Sequence, residues 1–345
     1  MKHPWKLVAA SLSAALLAAC GGGGGVSSST PRIAESSSST RLSPATDPNL
    51  YVSNQGHNSV TVYTNGTSSL LRTITKRIKN PGALAFDSSQ NLYVAKDKNN
   101  VQKANNVLVY ASGKKTVLRT IPIHVPHSLA FDSSGNLYIG SQNEVAVYAP
   151  GGSSPFRTIQ GVTTPQALAF DSAGNLYVAN LGNRAKGGNS VTVYAPGSGS
   201  VLETITEGVN HPVALAFDGS NDLYVANYNS STVTRYASGT TSVLATISDG
   251  VKLPCALAFD GSGNLYVANL GASSVTVYAP GGSSTLRTIY AGVSDPEALA
   301  FDRHGNLYVA NFSASTVTAY APGGSSVLQT ISQGVSFPDA LAFGP

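Results

Sequence analysis

A unit of about 42 residues recurs along this 345-residue chain, and no other feature constrains the fold as strongly. It is clearest from Pro254 onward, which runs P-x-A-L-A-F-D-x-x-G-N-L-Y-V-A-N-x4-S-V-T-V-Y-A-P-G-G-S-S-x-L-R-T-I-x-x-G-V. A unit this short cannot bury an apolar face by itself, so copies must pack on one another.

Each unit holds four short apolar runs, such as Ala256 to Phe259, Asn264 to Asn269, Ser274 to Tyr278 and Leu286 to Ile289. Val, Ile, Thr, Tyr and Phe dominate them with period-2 alternation, which predicts strands. Asp260-Gly261-Ser262-Gly263-Asn264 and Ala279-Pro280-Gly281-Gly282-Ser283 supply tight turns between runs. Four antiparallel strands make one propeller blade. The first run recurs at Ala83, Ser128, Ala167, Ala214, Ala256, Ala298 and Ala340. The second begins near Leu50, Leu92, Leu137, Leu176, Leu223, Leu265 and Leu307. Seven copies of each predict an all-β, seven-bladed β-propeller over residues 47–345. The first copy enters at its second strand and the C-terminus carries a surplus first run, Pro338 to Phe343. That surplus strand is expected to complete the first blade and remove the open sheet edges. Most Tyr and Phe fall at repeat positions and read as core; Phe156, standing at a Leu position, reads as core too.

The Leu-Tyr-Val-Ala-Asn strands and Thr-Ile-x-x-Gly-Val-x-x-Pro junctions resemble YVTN-type and NHL-type propeller repeats from about residue 48 to 345. The resemblance implies a propeller serving as sensor, scaffold, interaction module or, in a few members, enzyme. NHL repeats carry Asp-x-x-x-x-Arg-Val after the second strand, whereas Asn269 and Ser274 stand at those positions here. That departure loosens the link to NHL nucleic-acid and protein binders.

Lys2 and Lys6 precede an apolar run from Leu7 to Leu16, followed by Leu17-Ala18-Ala19-Cys20. The run is too short to span a bilayer and has the layout of a secretory leader. The ending resembles a bacterial lipobox, which implies a signal peptide over residues 1–19 and lipidation at Cys20. Residues 20–46, rich in Gly and Ser, read as a tether. An exported protein held on the cell envelope membrane through a lipid anchor is the expectation, and Gly21 favours the outer membrane. Cys255 is the only other cysteine, so no internal disulfide is expected. A net charge of +4 with 11% charged residues gives no nucleic-acid footprint.

Nucleotide-binding, zincin, nucleophile-elbow and C-x-x-C motifs are absent, and no catalytic residue is assigned. The Asp-x-x-Gly-Asn segments lack the acidic ligands of a calcium loop and read as Asp-capped turns. Variation between copies is confined to the second-to-third and fourth-to-first connections, which share one face. Loops on a rigid scaffold are where function concentrates.

Three candidates lie on that face. The second-to-third connections of units two and four are long and place Lys96, Lys98, Lys103, Arg184 and Lys186 around the short third one, a basic groove for an anionic partner. Tyr228, Tyr290, Phe312 and Phe337 are aromatics outside the core pattern in units five to seven, with Asp295, Glu297, Asp339 and His211 nearby. Aromatic faces beside carboxylates suit a glycan or peptide. The residue after each junction proline opens the innermost strand; in this set His127, Glu297 and Asp339 could converge on a divalent cation, as in lactonase-like and lyase propellers. No other cofactor is implied. Two functions stay open: a lipid-anchored, non-catalytic module binding a glycan, peptide or envelope protein, or a metal-dependent lyase or lactonase at the channel mouth.

Overall fold

The computed structural model describes residues 47–64, 67–96, 106–182 and 189–345. Among these residues, twenty-eight strands form seven four-stranded antiparallel sheets. One turn of 3-10 helix, Leu270–Ala272, is the only helical element among the described residues. Six sheets use four consecutive strands. In the seventh, blade one, Pro338–Gly344 lies innermost beside Asn49–Asn54, followed by Ser59–Tyr63 and Leu70–Ile74. Register pairs Leu50 with Phe343 and Val52 with Leu341. The first and last strands of the propeller therefore share one sheet, which closes the ring.

Repeated aromatic pairs join the blades. A second-strand tyrosine meets a phenylalanine on the next blade's innermost strand at all seven seams, from Tyr51–Phe86 to Tyr308–Phe343. The rings are T-shaped, with centroids 4.9–5.3 Å apart and interplanar angles of 74–79°. Each such pair contributes about 0.5–1.5 kcal/mol beyond its buried area. Third-strand tyrosines add a polar tie at their other end. Tyr63, Tyr110, Tyr236, Tyr278 and Tyr320 each donate from the hydroxyl to a carbonyl of the crossover entering their blade, at 2.5 Å.

Phe156 corrects an expectation. It is 53% exposed, like Leu71, Leu118, Leu202, Leu244, Leu286 and Leu328 in the other blades. The space between neighbouring blades widens toward the rim. A side chain pointing sideways from the outermost strand has little to cover it, so this position is surface.

Candidate functional site

Antiparallel order puts first-to-second and third-to-fourth turns on one face of the ring, and the variable connections on the other. The first face is locally determined. Asp260 Oδ1 accepts from the Ser262 and Asn264 amides at 2.9 Å, and Oδ2 from Asn264 Nδ2 at 2.8 Å. These carboxylates cap their own turns.

The variable face rests on a buried amide. Asn269 closes the second strand of blade six, and its Oδ1 accepts from the Lys252 amide at 3.0 Å. Its Nδ2 donates to Val267 O at 3.2 Å and Thr276 Oγ1 at 3.1 Å. Asn54, Asn180, Asn227 and Asn311 make the same set. An aspartate could accept from the loop amide but could not donate to the carbonyl, which explains the asparagine where NHL repeats have Asp. Blades two and three carry Lys96 and Ser141 instead.

Directly before each junction proline, the backbone is left-handed. Asn80, Val125, Thr164, His211, Leu253, Asp295 and Phe337 have φ between 46 and 58°. Such a conformation costs non-glycine residues about 1–2 kcal/mol, more so for β-branched ones. Capture from the previous blade offsets it. Asn58 Oδ1 holds the Asn80 amide at 2.7 Å, and Ser231, Ser273 and Ser315 Oγ hold those of Leu253, Asp295 and Phe337 at 3.1–3.2 Å. Glycine takes the same backbone hand one turn earlier. Gly292, at φ 73°, lies where a Cβ would meet Thr318 Cγ2 and Val327 Cγ2 at 2.9 Å.

Just after the proline, the innermost strand bulges. Gln166, Val213, Cys255, Glu297 and Asp339 stand opposite no residue of the second strand. All five are buried, Glu297 to 1% and Asp339 to 3% exposure, and His127 is half-buried. Asp339 Oδ2 lies 3.5 Å from where Gly82 would carry a Cβ. Cys255 Sγ donates to Pro296 O at 2.8 Å, and burial, then the charge of Glu297, push its thiol pKa well up. This thiol is a seam contact. No group of three His, Cys, Asp or Glu able to hold a metal ion exists among the described residues, so His127, Glu297 and Asp339 are not brought together as a ligand set.

The aromatic sector assembles in part. Phe312 and Phe337 pair with centroids 5.1 Å apart, and His211 and Tyr228 with centroids 5.7 Å apart. Backbone bonds fix the layout: the Tyr228 amide donates to His211 O at 3.1 Å and the Phe312 amide to Asp295 O at 3.0 Å. Asp295 accepts from Ser273 Oγ at 3.3 Å and from Ser313 Oγ. Tyr228 is tied to the layer beneath: burial first, then Cys255 and Glu297, raise its pKa. Tyr290 is separate. It follows the outermost strand Thr285–Ile289 and sits on the rim, 65% exposed. Leu253 and Leu270 were missed as candidates. They hold in blade six the positions that His211 and Tyr228 hold in blade five, with the Leu270 amide on Leu253 O at 3.1 Å. Aligning the seven copies column by column finds them. Together these residues form an arc over blades five, six, seven and one.

Lys98, Lys103, Arg184, Lys186 and Cys20 lie outside the described residues, as does the Lys96 side chain.

No family model matches the chain, and no curated protein matches it in sequence. Solved structures match its fold. A protein of unknown function from Desulfotomaculum acetoxidans superposes with TM-score 0.72 at 14% identity, over 86% of this chain and 99% of its own. A protein from Lactobacillus plantarum gives 0.70 at 18% identity, over 87% and 99%. A proposed 6-phosphogluconolactonase from Bacteroides uniformis gives 0.69 at 14% identity, over 86% and 99%.

Proposed function

We propose that this chain is an exported, lipid-anchored β-propeller that binds a glycan, peptide or envelope protein through its variable face, without catalysis. One observation carries the reading. Phe337, 45% exposed, occupies a strained left-handed position in blade one and packs on Phe312 of blade seven, while His211, strained in the same way, pairs with Tyr228 within blade five. Aromatic faces left partly exposed beside strained backbone at His211 and Phe337 serve recognition. The chain enters the ring at Asp47, on the capped-turn face, where the Asp47 carboxylate meets Arg303 and His304. A glycan and peptide array comparing wild type with Phe312→Ala/Phe337→Ala tests the reading. Loss of binding with an unchanged melting temperature is expected, and binding that survives the double substitution overturns it.

The alternative, a metal-dependent lyase or lactonase at the channel mouth, draws on the fold shared with the proposed 6-phosphogluconolactonase. Among the described residues no group of three His, Cys, Asp or Glu able to hold a metal ion supports it.

A further inference from the structure

We infer that the arc over blades five, six, seven and one takes a glycan bearing free amino groups, an ammonium lying between the aromatic rings and the Asp295 carboxylate. The inference deepens the binding reading above and rests on it.

Charge points first to a cation. In these four blades, the positions just before the proline, at the bulge and opening the second-to-third loop hold Asp295, Glu297 and Asp339 but no Lys or Arg. Lys252, one residue before Leu253, is exposed beside the arc. Asp295 is half-buried at the surface of the site. Its bonds to Ser273 and Ser313 use part of a carboxylate's roughly four acceptor sites. Glu297 and Asp339 lie beneath and are too buried for direct contact.

Aromatic faces add to the preference, because an ammonium over a ring is attracted by its quadrupole. The ring shape argues for a sugar over a basic peptide. Peptides commonly dock by adding a strand to a free sheet edge. The arc is made of loop residues, and the second strand beneath it is paired on both sides. An amino sugar offers a C–H face and an ammonium on one compact ring, which matches aromatic and acidic groups set side by side.

Calorimetry on the full chain with a glucosamine pentamer, an N-acetylglucosamine pentamer and pentalysine tests this. The free-amine sugar should bind about tenfold tighter than the acetylated one, a gap of about 1.4 kcal/mol. Its affinity should fall with added NaCl while that of the acetylated sugar holds. Asp295→Asn, which keeps shape and tolerates left-handed backbone, should lose most of the gap. The salt titration uses wild type and decides the matter even if a variant unfolds. Equal affinities, no binding of either sugar, or salt-insensitive binding overturn the ammonium. Tighter binding of the acetylated sugar overturns it too, while leaving the variable face as a binding surface. Pentalysine binding as tightly as the free-amine sugar overturns the glycan.

Discussion

Asn269 shows how much of this ring hangs on single side chains. It is fully buried and ties three elements together: its own strand, the third strand through Thr276, and the crossover through Lys252. Asn269→Ala strands the amide and leaves Thr276 without this partner, which should cost about 2–4 kcal/mol. Circular dichroism melting should register a drop of roughly 5–10 °C for a chain of this size. Asn269→Asp should also destabilise, because the carboxylate faces Val267 O. A melting temperature within 1 °C or so of wild type, on the scale of about 2–4 °C per kcal/mol, would mean the clamp is decorative.

Single elements can also carry private solutions. Six blades have Asn where blade five has Asp222, and its third strand reads Thr-Val-Thr-Arg-Tyr with Arg235 at a consensus Val position. Arg235 binds Asp222 Oδ2 through Nε at 2.9 Å and Nη2 at 2.6 Å, and Gly281 O of blade six through Nη1 at 3.2 Å. Its guanidinium lies over Tyr224, as Arg287, from the outermost strand, lies over Tyr266 in blade six. Removing one partner of a largely buried pair leaves an uncompensated charge. Arg235→Ala should cost about 2–3 kcal/mol in chemical denaturation, discounted for its partial exposure. Asp222→Asn/Arg235→Val, which installs the consensus pair, should recover most of that loss. A double variant no more stable than Arg235→Ala would show that the link to Gly281, and not the ion pair, holds the blade.

The strand Pro338–Gly344 is the element on which closure depends. Deleting residues 338–345 exposes Asn49–Asn54 as an edge and opens the seam where Tyr308 meets Phe343. Size-exclusion chromatography should then find self-associated or unfolded protein in place of a monomer that melts like wild type.

For the whole molecule, repetition makes small terms add. Burial raises the pKa of Tyr93, Tyr148, Tyr177 and Tyr224 to about 12, one in each of four blades or their seams. Their folded values exceed the unfolded value near 10, so the unfolded chain ionises first as pH rises. The associated stability is complete below pH 10 and is lost between about pH 10 and 12. Melting temperature should stay level to pH 10 with respect to these groups, then fall steeply; a flat profile to pH 12 would contradict the burial. Placement relative to a membrane is also a whole-molecule property. Cys20→Ser should move the protein from the detergent phase to the aqueous phase in phase separation, and unchanged partitioning would refute the anchor.

Much of the fold was legible because its determinants are local and repeated. Strand identity, turn chemistry, the count of seven and the surplus C-terminal run all follow from patterns within 42 residues, and seven copies average out local ambiguity. The side chosen by each loop follows from antiparallel order alone. What the tertiary structure decided depends on partners in other blades. Leu286 and Phe156 look like core in sequence, yet the widening wedge between blades leaves them at the surface. Tyr290 and Phe337 look alike as stray aromatics, but radial position puts one on the rim and the other against Phe312. Leu253 and Leu270 joined the arc only when the ring set them between two aromatic pairs. Glu297 and Asp339 were visible as irregularities, whereas their depth comes from the bulge and the loops folded over it. Local pattern fixes which strands form; closing the ring fixes which side chains share a place, because that depends on residues far apart along the chain.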